Sequence, residues 1–484
     1  MTPEEATRLL PARACLLLQG LPRGAHIALD LRAAQVDTQF EGYKLVPPGV
    51  HCLTWQAAGG DDGMAASGLR TALVQYTQAQ QVLGRRYDAE ADTWRTLSNV
   101  GDAHLVVAPE HLRTLDPHLA PYAASDAWPA LTRHLDADRT TVARVFGVRW
   151  GADATCDSFT PLAEHPDVLS DRELRTPSAA QEGVQFSAMT THRRANDARD
   201  DPEILVEGAA SDAESDAPSS SDEDDTPHEA PHTASAVALQ CTPFALDRSW
   251  PPEARGMDRT RFRFDKSWLL ADVLARAAAA DAAYARRLRR PAPPAAPAYG
   301  ALLREAELVF ILFVQANNAA ALEHWLALLT LFARASSRLG APSHYDLHPC
   351  EWEQDTARPT QPQLDAHIAF VELLTAQFRA LPDDAWTGDL ATSEPRVLSD
   401  LAELRRNIAR SLGAWAARAP APDAATPPPP HEALLRAWKA MSATAHTRFG
   451  WSLDALLDEE DEADEAEDGD DAPVVVETGY PYTL

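Results

Sequence analysis

The chain has 484 residues with 72 acidic and 43 basic side chains, a formal charge of −29, which works against attraction to phosphate backbones or anionic lipid. Its length predicts two or three compact domains, and 45% hydrophobic residues with twelve Trp exclude a chain that is disordered throughout. Five Cys, at 15, 52, 156, 241 and 350, include no C-x-x-C pair for zinc or redox work and fit a reducing compartment.

Residues 1–165 mix short β-rich runs with Gly and Pro punctuation: Cys15 to Leu18, Ala25 to Leu29, Tyr43 to Val46, Val50 to Trp55 and Leu69 to Tyr76. Pro47-Pro48-Gly49 predicts a tight turn between two of them, because proline fixes φ and glycine tolerates positive φ. From Pro109 the pattern turns helical, with Leu112, Leu115 and Leu119, then Trp128, Leu131 and Leu135. The expectation is a β-rich, sandwich-like amino-terminal domain with a few helices behind it.

Residues 166–242 read as a disordered acidic linker. Thirteen acids and one Arg lie between Asp197 and Glu229, and eleven acids and no base between Asp458 and Asp471. Such blocks cannot bury enough apolar area to offset ordering costs of ~1 to 2 kcal/mol per residue. They carry most of the negative charge, so the remaining chain has an ordinary balance.

Residues 243–457 predict an all-α bundle or repeat-like domain of six helices. The first runs from Trp268 to Arg290, with Arg286, Arg287, Arg289 and Arg290 at the negative end of its dipole and a stop at Pro291. Ala301 to Ala316 and Ala319 to Leu339 follow, joined at Asn317 and Asn318 and nearly without a polar face, which places them centrally. Apolar residues at three and four spacing mark two more helices, Leu364 to Leu381 and Val397 to Trp415, and a last helix spans Glu432 to Ala445. The longest apolar run, Leu308 to Val314, falls far short of the ~20 residues a membrane span needs. No secretory core follows Glu4 and Glu5, so a soluble intracellular protein is expected.

Few residues invite chemistry. His228-Glu229-Ala230-Pro231-His232 satisfies H-E-x-x-H, but Pro231 would break the helical turn that must align the two imidazoles. A zinc metalloenzyme at His228 and His232 is thus the unfavoured alternative, and His324 reads as a structural hydrogen-bonder. No catalytic residue, metal or cofactor is expected. Ser219, Ser220 and Ser221 each have an acid three residues downstream, the pattern an acid-directed kinase prefers, and they are phosphorylation candidates against the plainer reading of an inert spacer. At the end of the acidic tail, residues 458–484, stand Pro473, Val474, Val475, Val476 and Glu477, a β-branched run that could add to a sheet of another protein or return to the amino-terminal sheet.

Phe40, Gly42, Lys44, Pro47, Pro48, Gly49 and His51 together resemble the F-x-G-x-K-x-x-P-P-G-x-H segment of the AAR-two (A1 cistron-splicing factor) family, assembly factors of the U5 small nuclear ribonucleoprotein. Leu21-Pro22-Arg23-Gly24 through Asp30, the run from Glu305 to Leu329 with Glu323, His324 and Trp325, Asp265-Lys266-Ser267, Arg448-Phe449-Gly450-Trp451 and the terminal valines are similar to further family blocks. The resemblance implies no enzymatic activity. It implies binding to the RNase-H-like and MPN-type domains of the large U5 scaffold protein, among other U5 components, and exclusion of the unwinding helicase until linker phosphorylation loosens the grip. It implies work in cytoplasm and nucleus. A general helical-repeat adaptor in another pathway is the remaining alternative.

Overall fold

The computed structural model describes residues 8–37, 39–56, 70–90, 93–97, 107, 109–123, 125–149, 154–163, 238–288, 297–340, 361–388, 390–418 and 431–453. Among them the strands are β1 (Ala14–Gln19), β2 (His26–Leu29), β3 (Arg32–Gln35), β4 (Gly42–Val46), β5 (Gly49–Gln56), β6 (Thr71–Thr77), β7 (Val82–Asp88), β8 (Thr93–Leu97), β9 (Leu119–Pro121) and β10 (Ala154–Asp157). They form two five-stranded sheets, β8-β7-β1-β4-β9 and β10-β6-β5-β2-β3. The second sheet is antiparallel, whereas in the first β1 pairs parallel with β7 and β4 parallel with β9.

Alternation along the strands assigns the layers. Leu53 and Trp55 of β5 and Leu73 of β6 face Leu16 and Leu18 of β1 and fill the space between the sheets. Their neighbours Val50, Cys52, Ala72 and Val74 point the other way and join the core of the helical half. A strand covered on both faces has no polar side, which is why β5 is buried along nearly its whole length.

Short helices α1 (Pro109–Leu115), α2 (Trp128–Leu131), α3 (Arg133–Ala137) and α4 (Thr140–Val145) precede the helical half. The helical half holds α5 (Met257–Phe264), α6 (Ser267–Arg287), α7 (Gly300–Ala316), α8 (Ala319–Ala333), α9 (Ser336–Leu339), α10 (Gln361–Ala380), α11 (Glu394–Arg418) and α12 (His431–Phe449). Almost every side chain of α7 is buried, as the lack of a polar face predicts, and this helix lies against β5, β6 and β10. Asn317 adopts the left-handed conformation, and Asn318 caps α8 by accepting from Ala321 N at 2.7 Å. The architecture is α+β, with sheet, sheet and helices in succession. No described helix is long and apolar enough to cross a membrane.

Three expectations need correction. The helix expected from Ala319 to Leu339 stops at Ala333, because Arg334 O accepts from Lys266 N at 2.8 Å and the Asp265 carboxylate takes Ser337 N at the start of α9. The linker expected to reach 242 ends earlier: Leu239 pairs in parallel with Leu162, and Cys241 and Thr242 are buried. Strands β3, β7, β8, β9 and β10 went unforeseen; R-A-A-Q and V-L-G-R-R-Y-D lack a β-branched alternation, and neighbouring strands stabilise them instead.

The described residues that flank positions 164–237 lie side by side. Ala163 N donates to Leu239 O at 2.9 Å and Leu239 N to Pro161 O at 2.8 Å. The two halves are therefore clamped directly to each other beside the point where the acidic segment departs.

Candidate functional site

The proline-glycine block lies where the two sheets and the helices meet. Gly42 has φ +135°, and a Cβ there would stand 2.0 Å from Leu16 O. Gly49 has φ +139° and lies under Asp136, whose Oδ1 accepts from Val50 N at 2.7 Å. Trp128 Nε1 donates to Val50 O at 2.9 Å, so both main-chain groups of Val50 are fixed by α2 and α3. Phe40 packs edge-on to Tyr43, and Lys44 Nζ donates to Asp116 O at 2.9 Å and Asp116 Oδ1 at 2.8 Å.

His51 is the one polar side chain of β5 that faces the first sheet's side, and burial requires it to be satisfied. Its Nδ1 donates to Asp30 Oδ2, and its Nε2 donates to Pro47 O at 2.8 Å. Two acceptors for two ring nitrogens call for the doubly protonated imidazole. Burial alone would lower the pKa of His51, but the charge and hydrogen bond of Asp30 outweigh it and the net displacement is upward. Asp30 also accepts from Cys52 N at 2.9 Å and from Tyr122 Oη at 2.7 Å. These bonds hold Asp30 and Leu31 at positive φ, the type I′ turn that joins β2 to β3.

A second buried polar group welds the halves. Glu305 of α7 accepts from Arg144 Nη2 at 2.7 Å, Thr242 N at 2.7 Å, Thr242 Oγ1 at 2.8 Å and His324 Nε2 at 2.8 Å. Burial opposes its charge, yet Arg144 and His324 prevail and hold the carboxyl down at about 2. Arg144 Nε reaches Asp281 Oδ1 at 2.6 Å, and Arg304 Nη2 reaches Asp281 Oδ2 at 2.9 Å. Glu307, two residues on, accepts from His134 N at 3.0 Å and Leu135 N at 2.8 Å, capping α3 from a distance. For Glu307 burial wins over these bonds and raises its pKa.

These groups build a frame and offer no open reaction centre. Lys266 Nζ donates to Ser249 Oγ at 2.6 Å, and burial with Arg334 and Arg263 nearby lowers its pKa to about 8. A serine beside such a lysine could serve a nucleophilic mechanism. Here Ser249 is fully buried and donates to Phe262 O, while Lys266 also ties down Leu246 O at 2.7 Å and Arg263 O at 2.5 Å. Cys241, Glu305 and His324 bring potential ligand atoms within 4.8 Å of one another. They do not fit a cation, because Glu305 already faces Arg144 and three further donors, and burial pushes the Cys241 thiol well up, away from the thiolate a metal needs.

The predicted residues thus divide. The amino-terminal motif holds the sheet-to-helix junction, His324 belongs to the buried weld, and Trp325 is a core residue whose Nε1 donates to Gln377 Oε1 at 3.0 Å. Glu323 is exposed and pairs with Arg396 at 3.1 Å. Ser219, Ser220, Ser221, His228, His232 and Pro473 to Glu477 lie outside the described residues. Missing from the expectations were Arg144, Asp281, Arg304, Glu305 and Glu307 as a group. Three charges in the otherwise apolar α7 were the available signal, since a charge on a buried helix must find a partner.

A mixed-sheet sandwich fused through one core to a helical domain defines a two-part protein frame. Residues 12–147 match the family model described as the AAR2 N-terminal domain, and residues 241–454 match the AAR2 C-terminal repeat region. The chain belongs to the AAR2 family. It is 25% identical over 147 residues to the Protein AAR2 homolog of Caenorhabditis elegans, an alignment covering 30% of this chain and 38% of that relative. With the Protein AAR2 homolog of Macaca fascicularis it is 28% identical over 146 residues, covering 28% of this chain and 35% of the relative. The human Protein AAR2 homolog aligns over 57 residues at 33% identity, covering 12% of this chain and 15% of the relative. The chain therefore spans between about a third and two fifths of the length of the first two relatives.

Proposed function

We propose that this chain is a non-catalytic assembly factor of the U5 small nuclear ribonucleoprotein in pre-mRNA splicing. It occupies the RNase-H-like and MPN-type domains of the large scaffold protein, in cytoplasm and nucleus, and keeps the helicase off until release. The observation that carries this reading is membership of the AAR2 family through both halves, in order. The commitment of the family-motif residues to the frame supports it, because a rigid, preorganised surface loses little entropy when a partner docks.

Pro473, Val474, Val475, Val476 and Glu477 add a strand to a sheet of the scaffold. A few main-chain bonds at ~1 kcal/mol each bind weakly alone and act together with the folded surface. An acid-directed kinase acts at Ser219, Ser220 or Ser221 to loosen the complex. The test is a titration of the full chain against a scaffold fragment holding the RNase-H-like and MPN-type domains. Binding is expected, and its absence rejects the function. Removal of the residues after Asp471 should weaken binding without abolishing it, and unchanged affinity rejects the added strand. Glu at all three serines should weaken binding too, and equal affinity leaves the segment a spacer.

A further inference from the structure

The seam between the sheet half and the helical half is built like the interface of two molecules. Helices α3 and α4 lie against α7, and α4 also against α6. Thr141 and Arg144, three positions apart, share one face of α4. Thr141 Oγ1 donates to Asp281 Oδ2 at 2.6 Å and accepts from Arg304 Nε at 2.8 Å, while Arg304 Nη2 lies 3.3 Å from Asp138 Oδ2. Tyr284 Oη donates to Val148 O at 2.7 Å, and Asn318 Nδ2 donates to Asp157 O at 2.7 Å and Thr160 O at 2.9 Å. Around these bonds and those of Glu305 and Glu307, Val50, Val74, Trp128 and Leu135 share one apolar core with Leu302 and Leu308.

An apolar centre with buried charges matched across the divide is the makeup of an obligate protein–protein interface. The matching is selective as well, because any other partner would leave Arg144, Asp281 or Glu305 buried without its counter-charge. The residues just after position 237 strengthen the seam. Leu239 N donates to Pro161 O at 2.8 Å, Gln240 N to Val145 O at 2.6 Å, and Thr242 N to Glu305 Oε1 at 2.7 Å. A covalent tether supplies an effective concentration on the order of millimolar at most, whereas interfaces of the obligate class hold far below that. Contacts across the seam, and not the connection through 164–237, therefore dominate the union of the halves.

We infer that the two halves recognise each other as separate molecules, so that a chain cut between Ala163 and Ala238 stays one particle in which each half is the other's obligate partner. Cleavage there removes the connection and leaves the folded frame standing. The test is the full chain carrying a recognition sequence for a specific protease, flanked by glycine and serine, between Asp200 and Asp201. After complete cleavage, verified on a denaturing gel, the two pieces should elute together at micromolar concentration, with the mass of one copy of each by light scattering. The thermal midpoint of the cut protein should fall by about 5 °C on hundredfold dilution, because unfolding now separates two molecules, while the uncut chain stays unmoved. Glu305→Gln should weaken the association of the cut pieces by about a hundredfold, so that they part at a dilution the wild type survives. Pieces that separate on cleavage, a cut-protein midpoint indifferent to dilution, or equal dissociation of the Glu305→Gln and wild-type pieces overturns the inference.

Discussion

Replacing Glu305 by Gln keeps the size of the side chain and removes the charge at the centre of the weld between the halves. The amide also turns one acceptor oxygen into a donor that faces Arg144, Thr242 and His324, all of which donate. Breaking one side of a buried ion pair costs ~3 to 5 kcal/mol. Arg144 keeps Asp281 at 2.6 Å, which favours the lower end. Proton linkage gives a second route: a carboxyl at about 2 in the folded chain and ~4.3 in the unfolded chain differs by roughly two units, or about 3 kcal/mol. A folded-state pKa below the unfolded one stabilises fully above ~4.3, and this contribution fades as pH falls towards about 2. Urea unfolding of wild type and Glu305→Gln across this range is the assay. The difference between them should be about 3 kcal/mol at pH 7 and shrink steadily below pH 4. A difference under about 1 kcal/mol at neutral pH, or one indifferent to pH, would refute the weld.

Gly42→Ala should prevent accumulation of folded protein, because its Cβ would stand 2.0 Å from Leu16 O at a φ of +135°; circular dichroism of a variant folded as well as wild type would count against this. Burial, helped by Arg338, pushes His367 down to about 4. The folded chain thus resists a proton that the unfolded chain accepts below ~6.5, and stability should fall as pH drops across that interval, less steeply in His367→Gln, as denaturant midpoints would show. Exchanging residues 166–236 for a glycine-serine bridge of about ten residues should raise stability by about 2 kcal/mol if the segment behaves as its composition predicts, at ~0.6 kcal/mol for each halving of loop length. Calorimetry should show one transition, and a midpoint that falls or splits would mean that the segment supports the fold.

Where a residue's role is set by its neighbours in sequence, it was legible. Asn317-Asn318 announces the corner between α7 and α8, and the absence of a polar face announces a central α7, because both follow from local conformation and periodicity. The proline-glycine block reads as a tight turn, whereas the structure has a bend at Pro48 that carries the chain from β4 in the first sheet to β5 in the second. The weld was hidden: Arg144 and Glu305 lie 161 positions apart, and their pairing depends on how α4 packs against α7. The boundary at 242 was misplaced because Leu239 to Thr242 have no periodicity of their own and take their place from Leu162 and Glu305. In the sequence Asp30 marks only the end of a motif. That it meets His51 and Tyr122 is a consequence of register, which the alternation of side chains constrains but does not identify.

The sheet face made by Val50, Cys52, Ala72 and Val74 shares its core with Leu308 and Phe310, so neither half completes its interior without the other. A break anywhere between 147 and 241, once the pieces part, would leave one fragment with an apolar wall open to water and the other with Glu305 lacking Arg144 and Glu307 lacking the main-chain donors of α3. Either portion made alone should therefore show exposed apolar surface and reduced stability.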